Sequence, residues 1–374
     1  MSSQISLASG FATPEATRRF AERFTKIAAP GHFRERNGLT ISSIGIGTYL
    51  GEPDAATDTA YHQSIVAAVR SGLNLIDTAI NYRLQRSERA VGAALRDLLA
   101  AGFAREELVI CTKAGFLTPD GEMPADPNAY FSREFIEKGI FTVEDIAAGC
   151  HCLAPRYVED QLDRSRRNLG IESVDVFYLH NPETQLAEIP RDIFNKRLLA
   201  AFQFLESAVA SGKIKSYGLA TWNAFRDDPR SQGYLSLESV CGLARQAADG
   251  ENHFRFVQLP FNIGMPEALV RPNQTVGGKS VSMIQAAREL GITLIASASL
   301  LQAHLLGKVS DSIHSALGLR DDLECALQFV RSAPGIATAL VGMKRLAHVK
   351  ANARLVGIPP ASPEQFRRIF TAPH

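Results

Sequence analysis

The chain has 374 residues, 45% of them apolar, which is enough to bury the core of one large domain or two small ones. Its 40 basic and 39 acidic residues nearly cancel, so charge gives no general argument for binding nucleic acid or an anionic membrane. The sequence contains no run of about 18 apolar residues that would predict a membrane span. Five cysteines in a chain of this length do not indicate a disulfide framework, and we expect a cytoplasmic protein.

Residues 1–37 are predicted to form an N-terminal extension, and residues 38–374 to form the main domain. Within the extension, Pro14–Ala28 has the pattern of an amphipathic helix. Thr13 is a suitable N-cap for that helix, and Pro14 suits its first position. A second local pattern, Cys150-His151-Cys152, has metal-binding residue types, but its spacing suits tetrahedral zinc poorly and we expect no metal site.

From residue 40 onward, strand patterns alternate with helical patterns. The short apolar runs end near Gly47, Asp77, Lys113, His180, Ala220, Pro260, Ser297 and Val341. The amphipathic stretches between them are 58–71, 87–100, 156–169, 195–211, 238–248, 280–290, 322–332 and 345–355. Eight strand–helix units predict a closed α/β (β/α)8 TIM barrel, because open doubly wound sheets more often have five or six strands.

The connections differ in length at the two ends of this predicted barrel. Helix-to-strand joins are short, whereas strand-to-helix loops are long, and 114–155 is the longest. Long loops in a compact domain are usually functional or disordered, and the aromatic residues of this one argue against disorder. We therefore predict that 114–155 forms part of the substrate wall or a lid. Loops 181–194, 223–237 and 262–279 are expected to complete the pocket.

Four candidate catalytic residues stand at the ends of successive strands. Asp77, Lys113 and His180 each close an apolar run, and Tyr82 follows Asp77 by one short turn. Each of these groups is costly to bury without a partner, which makes their joint occurrence informative. We expect Asp77 and Lys113 to form an ion pair, and the ammonium to lower the pKa of Tyr82 so that its phenol transfers protons. His180 would orient a substrate oxygen.

The motifs around these residues resemble the aldo-keto reductase superfamily. They are Asp77-Thr78-Ala79-Ile80-Asn81-Tyr82, Cys111-Thr112-Lys113 and Phe177-Tyr178-Leu179-His180-Asn181-Pro182, and the resemblance runs from about residue 38 to 356. It implies a (β/α)8 barrel, a nicotinamide cofactor and a catalytic tetrad of Asp77, Tyr82, Lys113 and His180. It also implies a small-molecule carbonyl or alcohol substrate.

The resemblance also implies the residues of the cofactor site. Those near the nicotinamide are Thr48, Asp77, Thr221, Gln258, Ser297 and Leu300. In the family a serine precedes an asparagine after the fifth strand, and here Ala220 and Thr221 take those places. Ser297 replaces a stacking aromatic residue. The substrate contacts implied are Tyr49, His180 and Trp222.

The stretch after the eighth strand resembles the part of the family that holds the adenosine end of the cofactor. Asn352 matches an adenine contact. Lys344 and Arg345 open a helix, so charge and helix dipole both favour an anion, and NADP(H) is favoured over NAD(H).

Three functions are compatible with the sequence. The first is an NADP(H)-dependent oxidoreductase that interconverts a carbonyl and an alcohol. The second is a Schiff-base lyase using Lys113, against which stands the carboxylate partner that keeps this lysine protonated. The third is a non-catalytic, cofactor-sensing barrel that binds a partner protein. The oligomeric state is open at this point.

Overall fold

Eight parallel strands form a closed barrel in the computed structural model of the protein, which describes residues 7–371. Each strand pairs with the next along the chain, and the last closes onto the first. The strands are β1 Ile44–Gly47, β2 Leu75–Asp77, β3 Val109–Ala114, β4 Val174–His180, β5 Ile214–Ala220, β6 Phe254–Pro260, β7 Thr293–Ser297 and β8 Ile336–Gly342. The predicted (β/α)8 barrel is confirmed, and the predicted strand ends agree to within one residue.

One helix follows each barrel strand around the outside. These helices are α1 Ala55–Arg70, α2 Arg86–Ala100, α3 Pro155–Leu169, α4 Arg191–Ala210, α5 Leu237–Ala247, α6 Met283–Glu289, α7 Asp322–Ser332 and α8 Leu346–Ala353. Most boundaries match the prediction to within four residues. The helix predicted over 280–290 begins only at Met283, because Lys279–Val281 pairs with Gln274–Val276 as a small antiparallel sheet.

Further elements lie outside these eight units. The short helices are Pro127–Phe131, Glu267–Val270, Asp311–Leu317 and Pro363–Thr371, and two small antiparallel sheets pair Phe33–Arg36 with Leu39–Ser42 and Ile146–Ala147 with His151–Cys152. None of the helices in the described part of the chain is long and apolar enough to cross a membrane.

The N-terminal segment contains a helix where one was predicted, but a shorter one, Pro14–Glu22. Thr13 is its N-cap and accepts a hydrogen bond from the backbone N–H of Ala16, as expected. The segment is tied to the barrel through Asp175, whose carboxylate accepts the N–H of Ala12 and pairs with the buried Arg105.

The barrel interior is apolar below the strand ends. Leu75, Val109, Val176 and Tyr178 pack there, and each is fully buried. At one position the wall admits only glycine: a Cβ on Gly218 would lie 2.0 Å from the carbonyl oxygen of Phe256. Since β5 and β6 are paired in parallel, the polar residues at their ends lie side by side at the barrel mouth.

The long segment after β3 packs differently from our expectation. Its aromatic residues Phe135 and Phe141 form a small apolar cluster with Cys152 and with Tyr157 of α3. They therefore pack against the first turn of α3 and do not line the cavity described below. Within this segment Phe116 lines the cavity described below, so the segment contributes one residue to its wall.

Candidate active site

Asp77 and Lys113 form a buried ion pair at the barrel mouth, as the sequence predicted. The Lys113 ammonium donates to Asp77 Oδ2 at 2.6 Å and to the backbone oxygen of Thr78 at 2.7 Å. Gln258 donates to the other carboxylate oxygen at 2.7 Å. Burial is the largest single effect and acts to lower the pKa of Lys113, but the charge of Asp77, the neighbouring Tyr82 and Cys111 and the hydrogen bond to Asp77 together outweigh it, so the pKa is raised. The lysine is therefore an ammonium at neutral pH.

Tyr82 is beside this pair, and the Lys113 nitrogen is 4.9 Å from the centre of its ring. The expected downward shift of its pKa is wrong. Burial raises the pKa of the Tyr82 phenol, and the opposing effect of Lys113 is not enough to cancel it. The phenol is therefore protonated at neutral pH, the state in which it can donate a proton.

His180 completes the group, with its ring centre 5.7 Å from that of Tyr82. Burial, with Lys113 and His151 nearby, lowers the pKa of His180 well below its usual range, so the imidazole is neutral. The side-chain oxygen of Asn81 lies 3.2 Å from His180 Nδ1. This amide decides which ring nitrogen of His180 carries the proton. Sequence reasoning did not single out Asn81.

Two residues of the long segment after β3 contact His180. His151 Nε2 lies 2.7 Å from the backbone oxygen of His180, and Phe116 lies edge-on to both imidazole rings. One ring nitrogen of His151 is therefore engaged by the backbone of β4. Among residues 7–371, no group of three or more His, Cys, Asp or Glu side chains is arranged to hold a metal ion.

These side chains face a cavity of about 740 Å³ at the carboxyl ends of the strands. Of the residues that the sequence pointed to, its lining includes Thr48, Tyr49, Asp77, Tyr82, His180, Thr221, Trp222, Gln258, Ser297, Leu300 and Asn352. Lys113 is buried directly beneath it, through its contact with Asp77. Lys344 and Arg345 do not line the cavity.

Two polar side chains of the cavity have unused hydrogen-bonding capacity. The hydroxyl of Thr221 and both amide atoms of Asn352 are buried and have no hydrogen-bond partner among the described residues. Buried polar atoms are normally paired, so each of these sites suits a ligand that completes it. Thr48 differs, since its hydroxyl already donates to the backbone oxygen of Asp77.

The helix α8 connects Asn352 with the two bases expected to meet a phosphate. Arg345 is the N-cap residue of α8, and its guanidinium donates to His348 Nε2 at 2.7 Å. Burial lowers the pKa of His348, and Arg345 and Lys344 add to the effect. His348 lines the cavity, so it connects Arg345, which does not, to the cavity wall. Sequence reasoning missed it.

Part of the cavity wall is aromatic. Tyr49 and Trp222 are both exposed at its rim, and the ring centres of Tyr49 and Tyr82 are 5.0 Å apart. The carboxylate of the half-buried Glu183 accepts a hydrogen bond from the backbone N–H of Trp222 at 2.7 Å and thereby holds the start of that loop.

The remaining lining corrects our choice of loops. The stretches 223–237 and 262–279 do not line the cavity, whereas the loop after β7 contributes Ala298, Ser299, Leu300, Gln302, Ala303 and Leu306. This loop has no aromatic or charged signature in the sequence. It reaches the cavity because it follows a strand that ends there.

Comparison with known proteins agrees with this geometry. Residues 43–227 match the model of the Aldo/keto reductase family. That stretch of the chain belongs to the Aldo/keto reductase family. It includes Asp77, Tyr82, Lys113 and His180, while α8 lies outside it.

Relatives of known description were also found. A D-threo-aldose 1-dehydrogenase from a Pseudomonas species is 29% identical over 192 residues, which are 49% of this chain and 51% of that protein. The chain thus spans about half the length of this relative. A putative voltage-gated potassium channel subunit beta from Schizosaccharomyces pombe is 23% identical over a match that covers 91% of this chain and 92% of that protein.

Among solved structures, an aldo/keto reductase from Klebsiella pneumoniae in complex with NADP and acetate superposes with a TM-score of 0.60. It is 21% identical and the match covers 92% of this chain and 97% of that one. At this identity the likeness shows the fold alone, over almost the whole barrel.

Proposed function

We propose that this protein is an NADP(H)-dependent oxidoreductase that interconverts a carbonyl and an alcohol, with Tyr82 as the general acid and base. The observation that carries the proposal is the joint placement of Asp77, Lys113, Tyr82 and His180 at one cavity. The same cavity contains unpaired polar atoms of Thr221 and Asn352 at separate points of its lining.

The four side chains have distinct roles in this proposal. Tyr82 holds the proton that passes to the carbonyl oxygen in reduction and takes it back in oxidation. Lys113 opposes the upward shift of the phenol's pKa and favours the phenolate left after proton transfer. Asp77 keeps Lys113 charged and in place. His180 is neutral, and because its Nδ1 donates to the side-chain oxygen of Asn81, its other ring nitrogen is an acceptor that can orient the substrate oxygen by taking a hydrogen bond from the alcohol hydroxyl.

The residues of the cavity fit a nicotinamide dinucleotide. The carboxamide of a nicotinamide needs hydrogen-bond donors and acceptors, which Thr221 and Gln258 offer. The edge of an adenine needs one donor and one acceptor, which the side-chain amide of Asn352 offers. Ser297 and Leu300 would line the nicotinamide face. When bound, the dinucleotide supplies or accepts the hydride, which no side chain can do.

The decisive experiment is a titration of the protein with NADPH and with NADH, followed by turnover assays on a panel of aldehydes, ketones and sugars. Tight binding of NADPH and turnover of at least one carbonyl would support the proposal. Absence of turnover on the whole panel, with cofactor bound, would contradict the oxidoreductase assignment.

Removal of both bases before α8 should change the cofactor preference. In the variant Lys344→Ala/Arg345→Ala, we expect weaker NADPH binding with little change for NADH, because a 2′-phosphate loses charge-assisted hydrogen bonds of roughly 1.5–3 kcal/mol each. Fluorescence titration measures both affinities. The control is Lys350→Ala, an exposed base on the same helix. Equal weakening of NADPH and NADH would show that the two bases do not meet the phosphate.

The aromatic wall should determine the affinity for substrate. Trp222→Ala removes a large exposed ring at the rim of the cavity. It keeps the backbone N–H of residue 222, which donates a hydrogen bond to Glu183. We expect KM to rise about tenfold with kcat nearly unchanged, because the ring contacts substrate equally before and during the reaction. Steady-state kinetics on the best substrate test this. A fall in kcat at unchanged KM would place Trp222 outside the substrate wall.

A second candidate function is a cofactor-sensing barrel that binds a partner protein without catalysis. It is supported by the similarity to the putative potassium channel subunit beta, which extends over 91% of the chain. The tetrad weighs against it, because a partner-binding barrel does not require a lysine, a tyrosine and a histidine gathered at its mouth. The two functions differ in turnover, which the carbonyl panel measures.

A further inference from the structure

The backbone that follows Tyr82 makes an unusual turn. Arg83, Leu84 and Gln85 have φ values of 51°, 56° and 71°, so three successive residues are left-handed and none is glycine. In this conformation the Cβ of an L-residue crowds the following carbonyl oxygen, which costs free energy at each position. Such a turn persists only where surrounding contacts hold it.

The first set of contacts joins the turn to the loop after β1. Arg83 has a side chain that is 1% exposed. Its Nε donates to the backbone oxygen of Glu52 at 2.8 Å, and a terminal nitrogen donates to that of Asp54 at 3.1 Å and to the carboxylate of Asp58. The guanidinium also lies over the ring of Tyr61, 5.5 Å from its centre. One buried side chain thus fixes the course of residues 52–54.

The second set joins the turn to the segment after β3. The backbone oxygen of Leu84 accepts the N–H of Gly121 at 2.9 Å. The Gln85 amide donates to the backbone oxygen of Pro119 at 3.2 Å and accepts from Asn168 of α3 at 3.1 Å. The turn is therefore bonded to both neighbouring loops.

These three loops carry the aromatic side chains around the candidate proton donor. Tyr49 comes from the loop after β1, Tyr82 from the turn's own loop and Phe116 from the segment after β3. Tyr49 contacts Tyr82, and Phe116 contacts His180 with ring centres 5.2 Å apart. Movement of the turn would change the positions of Tyr49 and Tyr82 relative to His180.

We propose that Arg83 is a positioning residue for Tyr82: its anchorage to residues 52–58 holds the left-handed turn, and through it the phenol and the Tyr49 wall, in their places. The catalytic part of this proposal rests on the proposed role of Tyr82. Arg83 itself lies outside the cavity lining, so it acts only through the turn.

The test uses the full chain with Arg83→Gly, since glycine adopts the left-handed conformation without strain and only the anchor is lost. We expect kcat to fall about tenfold or more, since small displacements of reacting groups are costly, while NADPH affinity stays within about twofold. Arg83→Lys, which keeps the charge and one donor group, should recover part of the rate. The matched control is Arg86→Ala, which removes the other arginine bonded to Asp58 and should leave kcat nearly unchanged.

Hydrogen exchange gives a readout that does not depend on turnover. In Arg83→Gly, amides of 50–54 and of 119–121 should exchange faster, whereas those of α5 should not change. If the wild-type protein turned over no carbonyl, this exchange pattern would still test the anchor. If Arg83→Gly failed to fold, Asp58→Ala would replace it, with a smaller loss of kcat in the same direction. Unchanged kcat and unchanged exchange in a folded variant would overturn the proposal.

Discussion

Tyr82→Phe is expected to lower turnover by about 10²–10⁴-fold, the usual contribution of general acid catalysis, with cofactor affinity nearly unchanged. The phenol of Tyr82 lines the cavity beside the imidazole of His180, and phenylalanine keeps the ring and its packing. The raised pKa of Tyr82 adds a pH dependence to the wild-type enzyme: carbonyl reduction needs the protonated phenol, so its rate should be sustained through neutral pH and fall only as the pH rises through that high pKa.

Tyr49→Phe is the matched control for this substitution. Tyr49 has the same chemistry, lies 5.0 Å away between ring centres and is 57% exposed, so losing its hydroxyl should leave kcat almost unaffected. Steady-state rates and NADPH titrations on both variants complete the comparison. A Tyr82→Phe enzyme within about threefold of wild type would remove Tyr82 from the chemical step, since the general-acid contribution is far larger.

Lys113→Met is expected to reduce both stability and turnover. It leaves the buried carboxylate of Asp77 without its ammonium partner, which typically costs about 3–5 kcal/mol of unfolding free energy. Burial already raises the pKa of Asp77, and without Lys113 the pKa should rise further. A group whose pKa is higher in the folded state binds protons more tightly there, so the variant should regain stability as the pH is lowered.

The same substitution should affect the chemistry through Tyr82. Because Lys113 lowers the pKa of the phenol, its removal raises that pKa, and alcohol oxidation, which needs the phenolate, should shift to higher pH. The control is Arg105→Met, which breaks the buried pair with Asp175 elsewhere in the barrel. It should lose comparable stability but keep the wild-type pH profile. An unchanged profile in Lys113→Met would mean that the ammonium does not act on Tyr82.

The sequence alone was sufficient for the barrel and for the meeting of the candidate catalytic residues at its mouth. Strands buried on both faces read as continuous apolar runs, so their ends could be located to within one residue. Strand ends of a parallel barrel meet at one face, and this rule alone brought Asp77, Lys113 and His180 together before any coordinates were considered. The residues of the adenosine end were reached differently, through the family resemblance around Lys344, Arg345 and Asn352.

Tertiary structure decided the electrostatics and the loops. Sequence reasoning considered how the ammonium of Lys113 lowers the pKa of the Tyr82 phenol, but it could not include burial. Burial raises that pKa and reverses the direction of the shift. The aromatic residues of 114–155 were expected over the pocket, yet Phe135 and Phe141 pack against α3, because an apolar side chain packs wherever a complementary surface is nearest in space. Likewise, the left-handed turn at Arg83–Gln85 depends on partners from loops distant in sequence, and no local pattern encodes such contacts.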